Sequence, residues 1–93
     1  MAALLYPRLV HEIPIEDSFD LHTFQPREVR IAVEEYLYQA VLRGFREVRI
    51  IHGRGIGVQR EIVQSLLKTH PDVISLQDVA DRGSTVVVLR PRT

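Results

Sequence analysis

The strongest period in the chain lies between Pro26 and Gly44. Val29, Ala32, Val33, Tyr36, Leu37, Ala40 and Val41 recur at intervals of three and four. That spacing gathers them into one apolar stripe on a helix of about five turns. Gln25-Pro26-Arg27-Glu28 supplies its start. Proline suits the first helical position, and Glu28 at the third can reach back to the cap. Gly44 supplies the stop, as the residue just beyond the last turn. A second helix is predicted from Val58 to Thr69, with Val58, Ile62, Val63, Leu66 and Leu67 inward and His70-Pro71 closing it.

Between and around the helices the period falls to two. Ser18-Phe19-Asp20-Leu21-His22 alternates, which puts Phe19 and Leu21 on a core face and Ser18, Asp20 and His22 on the other. Glu47–Ile51 is a second strand and Val73–Leu76 a third. Residues 78–84 read as a turn, and Thr85–Leu89 as a fourth strand. Its unbroken β-favouring run predicts a central position covered on both sides. Residues 1–16 show no period and contain Pro7 and Pro14, so they read as an extended arm packing on a domain of residues 17–93. The order βαβαββ predicts an α/β, two-layer α+β fold. Two successive βα units imply parallel strands, right-handed crossovers and both helices on one face.

Composition narrows the setting. The 93 residues suffice for one small domain. The chain has no cysteine, which excludes disulfides and thiolate metal sites and fits a cytoplasmic protein. The first residues, MAALLYPRLVHEIP, make a poor signal peptide, being broken by Pro7, Arg8, His11 and Glu12. No apolar run approaches the roughly 18 residues needed to span a bilayer, so no membrane partner is expected. Net charge is zero but uneven: residues 1–40 sum to −4 and residues 41–93 to +4. Eleven of the twelve basic residues are arginine, whose planar fork suits phosphate.

The basic half surrounds His52-Gly53-Arg54-Gly55-Ile56-Gly57, which joins the second strand to the second helix. Such a junction is a physical anion site, because glycines admit close backbone approach and the free helix N–H groups face negative charge. It is neither a P-loop, lacking Gly-Lys-Ser/Thr, nor a dinucleotide fingerprint, lacking the later glycine and the acidic residue. Arg54, between two glycines, is the best candidate phosphate ligand, and Arg60 lies one turn into the helix. His52 either donates to a phosphate or holds the loop. Parallel strands bring the end of the first strand to the same edge, where open α/β sheets collect ligands. Asp20 and His22 lie there on one face. They read either as a carboxylate orienting a general base or as a strand-end pair satisfying loop amides.

Asp20-Leu21-His22 before one helix and His52-Gly53-Arg54-Gly55 before the next resemble the Smr (small MutS-related) domain family. The likeness covers Ser18 to Leu89. It implies a four-stranded mixed sheet of order 1-2-4-3 with the last strand antiparallel, like the C-terminal domain of translation initiation factor three. It also implies a nucleic-acid-binding protein, and in several members a structure-dependent or nicking endonuclease acting on branched DNA or structured RNA. Asp20 and His22 are then the catalytic candidates, and His52, Gly53, Arg54, Gly55, Gly57 and Arg60 the nucleic-acid-binding ones. Thr23-Phe24 stands where the family has a glycine, and Phe24 reads as a base-stacking platform or as a staple for the helix start. Only Gly83 remains of the glycines that usually precede the last strand. No metal ligand set stands out. Asp20 could hold a divalent ion such as magnesium, but such sites usually draw on two or more carboxylates. Metal-independent or weakly metal-assisted cleavage is therefore expected, on RNA only. The alternative is a non-catalytic module on nucleic acid or the ribosome. A monomer is expected.

Overall fold

Each helix forms between the residues that mark its ends. The computed structural model describes residues 3–6, 11–53, 57–79 and 83–91, with side chains from Ile15 onward. Helix α1 spans Pro26–Leu42, and the Glu28 carboxylate accepts the Gln25 N–H at 2.9 Å. At its other end Gly44 takes φ +82° and donates its N–H to the Val41 carbonyl at 3.0 Å. Helix α2 spans Val58–Thr69. Val63, Leu66 and Leu67 are buried on its inner face, but Val58 is 43% exposed, against the expectation. The row Val58–Ile62 is the margin of the apolar stripe rather than its centre. It lines a groove of about 360 Å³ with Arg30, Gly57, Glu61 and Ser65.

The N-terminal arm contains two paired strands. β1 (Ala3–Tyr6) pairs antiparallel with β2 (His11–Pro14), and β1 lies beside α1. The main sheet contains β3 (Ser18–Asp20), β4 (Glu47–Ile51), β5 (Val73–Asp78) and β6 (Ser84–Leu89) in the order β3-β4-β6-β5. β3 runs parallel to β4, with Asp20 opposite Ile51. β6 is antiparallel to both neighbours and so sits centrally, as expected. It is not covered on both sides. Val87 and Leu89 are buried toward the helices, whereas Val86 and Val88 are only half-buried on the face the helices leave open. β5 runs on to Asp78, which the sequence placed in a turn. Asp78 pairs with Thr85 across the sheet, and a polar residue is tolerated there because its carboxylate is hydrogen-bonded.

The core lies between the sheet and the helices. Phe19 stacks on Tyr36 with ring centroids 4.6 Å apart and meets Phe24 edge-on at 5.7 Å. Each fully buried side chain of this size contributes about 1.5–3 kcal/mol. The Tyr36 hydroxyl donates to the Glu16 carbonyl, tying the segment before β3 to α1. Burial first, then the carboxylates of Asp17 and Glu16, push that phenol above the ordinary tyrosine range. The sheet's C-terminal edge is thus set by packing beneath it.

Candidate functional site

Asp20 is the last residue of β3. Leu21 after it is fully buried, and its N–H donates to the Ile51 carbonyl at 2.9 Å, carrying the parallel pairing one step further. The neighbours on either side of Leu21 point outward and meet. Asp20 Oδ1 accepts the His22 backbone N–H at 2.9 Å, and Oδ2 lies 3.0 Å from His22 Nδ1. A carboxylate only accepts at neutral pH, so Nδ1 carries the proton and Nε2 is left free as the basic nitrogen. Both side chains are open to solvent, at 48% for Asp20 and 75% for His22. Phe24 is buried against Phe19 and belongs to the core.

β4 ends beside this pair and leads into the glycine turn. The N–H groups of His52 and Gly53 both donate to the Gly83 carbonyl, at 3.0 and 2.9 Å, so the turn starts from an anchored backbone. Gly53 and Gly57 take φ +83° and +82°. A Cβ at either would meet nothing within 4 Å, so it is backbone conformation and not space that selects glycine there. Gly57 stands at the N-cap of α2 and has no side chain to bond the helix amides. Among the described residues no side chain competes for the first N–H groups of α2, the arrangement an anion site requires. Arg54 and Gly55 lie outside the described residues. Gln59 donates to the Phe24 carbonyl at 2.7 Å and straps α2 to the loop that follows His22.

His52 is only 6% exposed. Its Nδ1 lies 3.1 Å from the Gly53 carbonyl and its Nε2 3.0 Å from Thr85 Oγ1. A carbonyl cannot donate, so Nδ1 is the donor in the first contact. Thr85 lies 3.3 Å from Asp78 Oδ1, which also accepts from Gln64, while Asp78 Oδ2 is paired with Arg60. The Arg60 hydrogen bond holds the Asp78 carboxyl below the usual aspartate range. Partial loss of hydration opposes this, and the charge of Arg60 with bonds from Thr85 and Gln64 adds to it. The structure therefore brings Asp20 with His22, and His52 with Arg60 through Thr85 and Asp78. Asp78, Thr85, Gln64 and Gln59 were not singled out in the sequence. A threonine between Ser84 and Val86 in a strand carries no sign that an acid from the neighbouring strand will face it.

The described residues do not form a site for a resident magnesium ion. Both Asp20 oxygens are engaged by His22, and Glu28 is buried in the cap of α1. Among the described residues no three acidic or histidine side chains gather at one point. Among them also, no helix is long and apolar enough to cross a membrane.

Comparison with known proteins places this arrangement. The Smr domain family matches residues 19–90. The chain is 41% identical over 80 residues to an endonuclease MutS2 of Halalkalibacterium halodurans, covering 82% of this chain and 10% of that protein. It is 42% identical over 77 residues to an endonuclease MutS2 of Clostridium botulinum, again spanning about a tenth of the relative's length. Among solved structures it superposes on the Smr domain of Thermus thermophilus MutS2 with a TM-score of 0.77 and 30% identity, covering 82% of this chain and all of that one. YdaL, a stand-alone small MutS-related protein from Escherichia coli, gives a TM-score of 0.76 at 29% identity, covering 83% and 66%. The matched span holds both motifs and, but for Ser18, every strand of the main sheet, and the chain belongs to the Smr domain family.

Proposed function

We propose that this chain is a nucleic-acid-binding Smr domain that cleaves structured RNA at the C-terminal edge of its sheet. The observation that carries the proposal is the Asp20–His22 pair, with Nδ1 3.0 Å from Oδ2, held beside the uncapped start of α2. The backbone amides at the start of α2 beside Gly57, with Arg54, Gly55 and Arg60, grip phosphate oxygens, while Gly53 shapes the turn that presents them and His52 stiffens it from below. Asp20 fixes the His22 ring so that Nε2 accepts the proton of a 2′-hydroxyl. The 2′-oxygen attacks the adjacent phosphorus and the 5′-oxygen leaves, taking a proton from the imidazolium or water. The products are a 2′,3′-cyclic phosphate and a 5′-hydroxyl. The domain acts as a cytoplasmic monomer on residues 17–93, with the arm of residues 1–16 packing on it. Binding of branched DNA uses the same grip, and its relatives' name, endonuclease, supports a phosphodiester substrate.

A second reading is a binding module without chemistry, on nucleic acid or the ribosome. The exposure of both Asp20 and His22 favours it, because an open pair is weakened by solvent. Labelled structured RNA and branched DNA, incubated with and without EDTA and followed by end-group analysis, separate the two. A cyclic phosphate formed with EDTA present is expected from the wild type, and none from Asp20→Ala or His22→Ala, which still bind. Intact RNA in every condition would refute cleavage and leave the binding reading.

A further inference from the structure

Arg60 does not wave free in solvent. Its Nη2 is paired with Asp78 Oδ2, while its Nε and Nη1 have no hydrogen bond among the described residues. Asp78 is itself fixed. Its other oxygen accepts from Gln64 on α2 and from Thr85 on β6, at 3.3 Å for Thr85. Thr85 is fully buried and meets His52 at 3.0 Å. One oxygen of the carboxylate is thus clamped from two elements, and the other is presented to one nitrogen of an arginine in the first turn of α2. An arginine normally loses much rotamer freedom when it binds a ligand, and ordering it beforehand lowers that loss.

We propose that Asp78 is a positioning residue for Arg60, holding the guanidinium beside the start of α2 with its remaining nitrogens available to a nucleic-acid phosphate. This rests on the nucleic-acid reading above. The opposite possibility is that Asp78 competes with phosphate for Arg60, and the two predict opposite signs. Simple electrostatics says that removing a negative charge tightens binding to a polyanion. Positioning says that Asp78→Asn weakens it.

The test measures affinity for a labelled RNA hairpin across a salt series, for wild type, Asp78→Asn, Asp78→Glu, Arg60→Gln and the Asn/Gln double variant. Asp78→Asn should weaken binding and reduce the slope of log K against log salt by roughly 0.7–0.9, the loss of one phosphate contact. Arg60→Gln should do the same, the double variant should lose no more than either single one, and Asp78→Glu should retain most of the affinity. In the free wild-type protein, ¹⁵N spectra of the Arg60 side chain should show an ordered guanidinium, a reading that needs no variant to fold. Tighter binding by Asp78→Asn, additive losses in the double variant, or a freely rotating Arg60 would each overturn the inference. Wild type that binds no nucleic acid overturns the proposed function and this role with it. Wild type that binds while Asp78→Asn matches it overturns this role alone.

Discussion

Replacing Thr85 with valine keeps the shape of the side chain and removes one oxygen. That oxygen is fully buried and lies 3.0 Å from His52 Nε2, 3.3 Å from Asp78 Oδ1 and 3.4 Å from Gln64 Nε2. The first contact dominates, because His52 is buried and its Nε2 has no route to water. Leaving a buried nitrogen without a partner costs about 1–3 kcal/mol. Asp78 and Gln64 are partly exposed and recover water, which limits their share to about 0.5 kcal/mol. The added methyl returns less than about 0.8 kcal/mol. The net loss is about 2 kcal/mol, or a fall in Tm of about 8–16 °C for a domain of this size. Thermal and urea unfolding followed by circular dichroism measure it. Thr85→Ser keeps the hydroxyl and should lose only the methyl, about 1 kcal/mol. In a His52→Phe background the valine substitution should cost much less, because the stranded nitrogen is gone. A Thr85→Val protein within about 0.5 kcal/mol of wild type would refute the reasoning.

At Gly57, which has φ +82° and open space around its Cβ position, alanine should cost about 1–2 kcal/mol through backbone strain alone. Asparagine, though larger, should cost less, and paired melts of the two variants test that order. Tyr36→Phe removes the hydroxyl that donates to the Glu16 carbonyl and should cost about 1 kcal/mol at neutral pH. The folded-state pKa of Tyr36 is raised, so its contribution is complete below the ordinary tyrosine value of 10.0 and is lost as pH rises above it. Urea midpoints measured up the alkaline range should therefore fall less steeply for Tyr36→Phe than for wild type.

Much of this fold is legible because local signals agree with one another. Gln25 to Glu28 marks a start, Gly44 a stop, and the residues between them share one face, so α1 needs no tertiary information to be placed. Phe19 and Leu21 alternate with Asp20 and His22, so the catalytic candidates fall on one side by the pleat alone. Other features depend on register between distant strands. Asp78 stands before a turn in the sequence, and only the β5–β6 pairing opposite Thr85 makes it a partner for Arg60 and Gln64. Val58 obeys the helical period yet lies at its margin, since the period gives a stripe's direction and not its width. Val86 and Val88 look like doubly covered positions, but both helices pack on the other face. The N-terminal arm leaves no period to read, with prolines at two of its strand boundaries.

The strand at the middle of the main sheet follows the other three in the chain. Until β6 is in place, β4 and β5 have no hydrogen-bonded neighbour in common, and β3 with β4 is a parallel pair unpaired at both edges. Thr85 and the Gly83 carbonyl, which hold His52 and the glycine turn, arrive with the same segment. During synthesis the turn after β4 therefore cannot be anchored while the ribosome still covers residues 83–89. A chain released before that point has both helices and β1 to β5, but no strand to join β4 to β5. Anchoring of the glycine turn and completion of the sheet are coupled in time, so premature termination leaves both unmade.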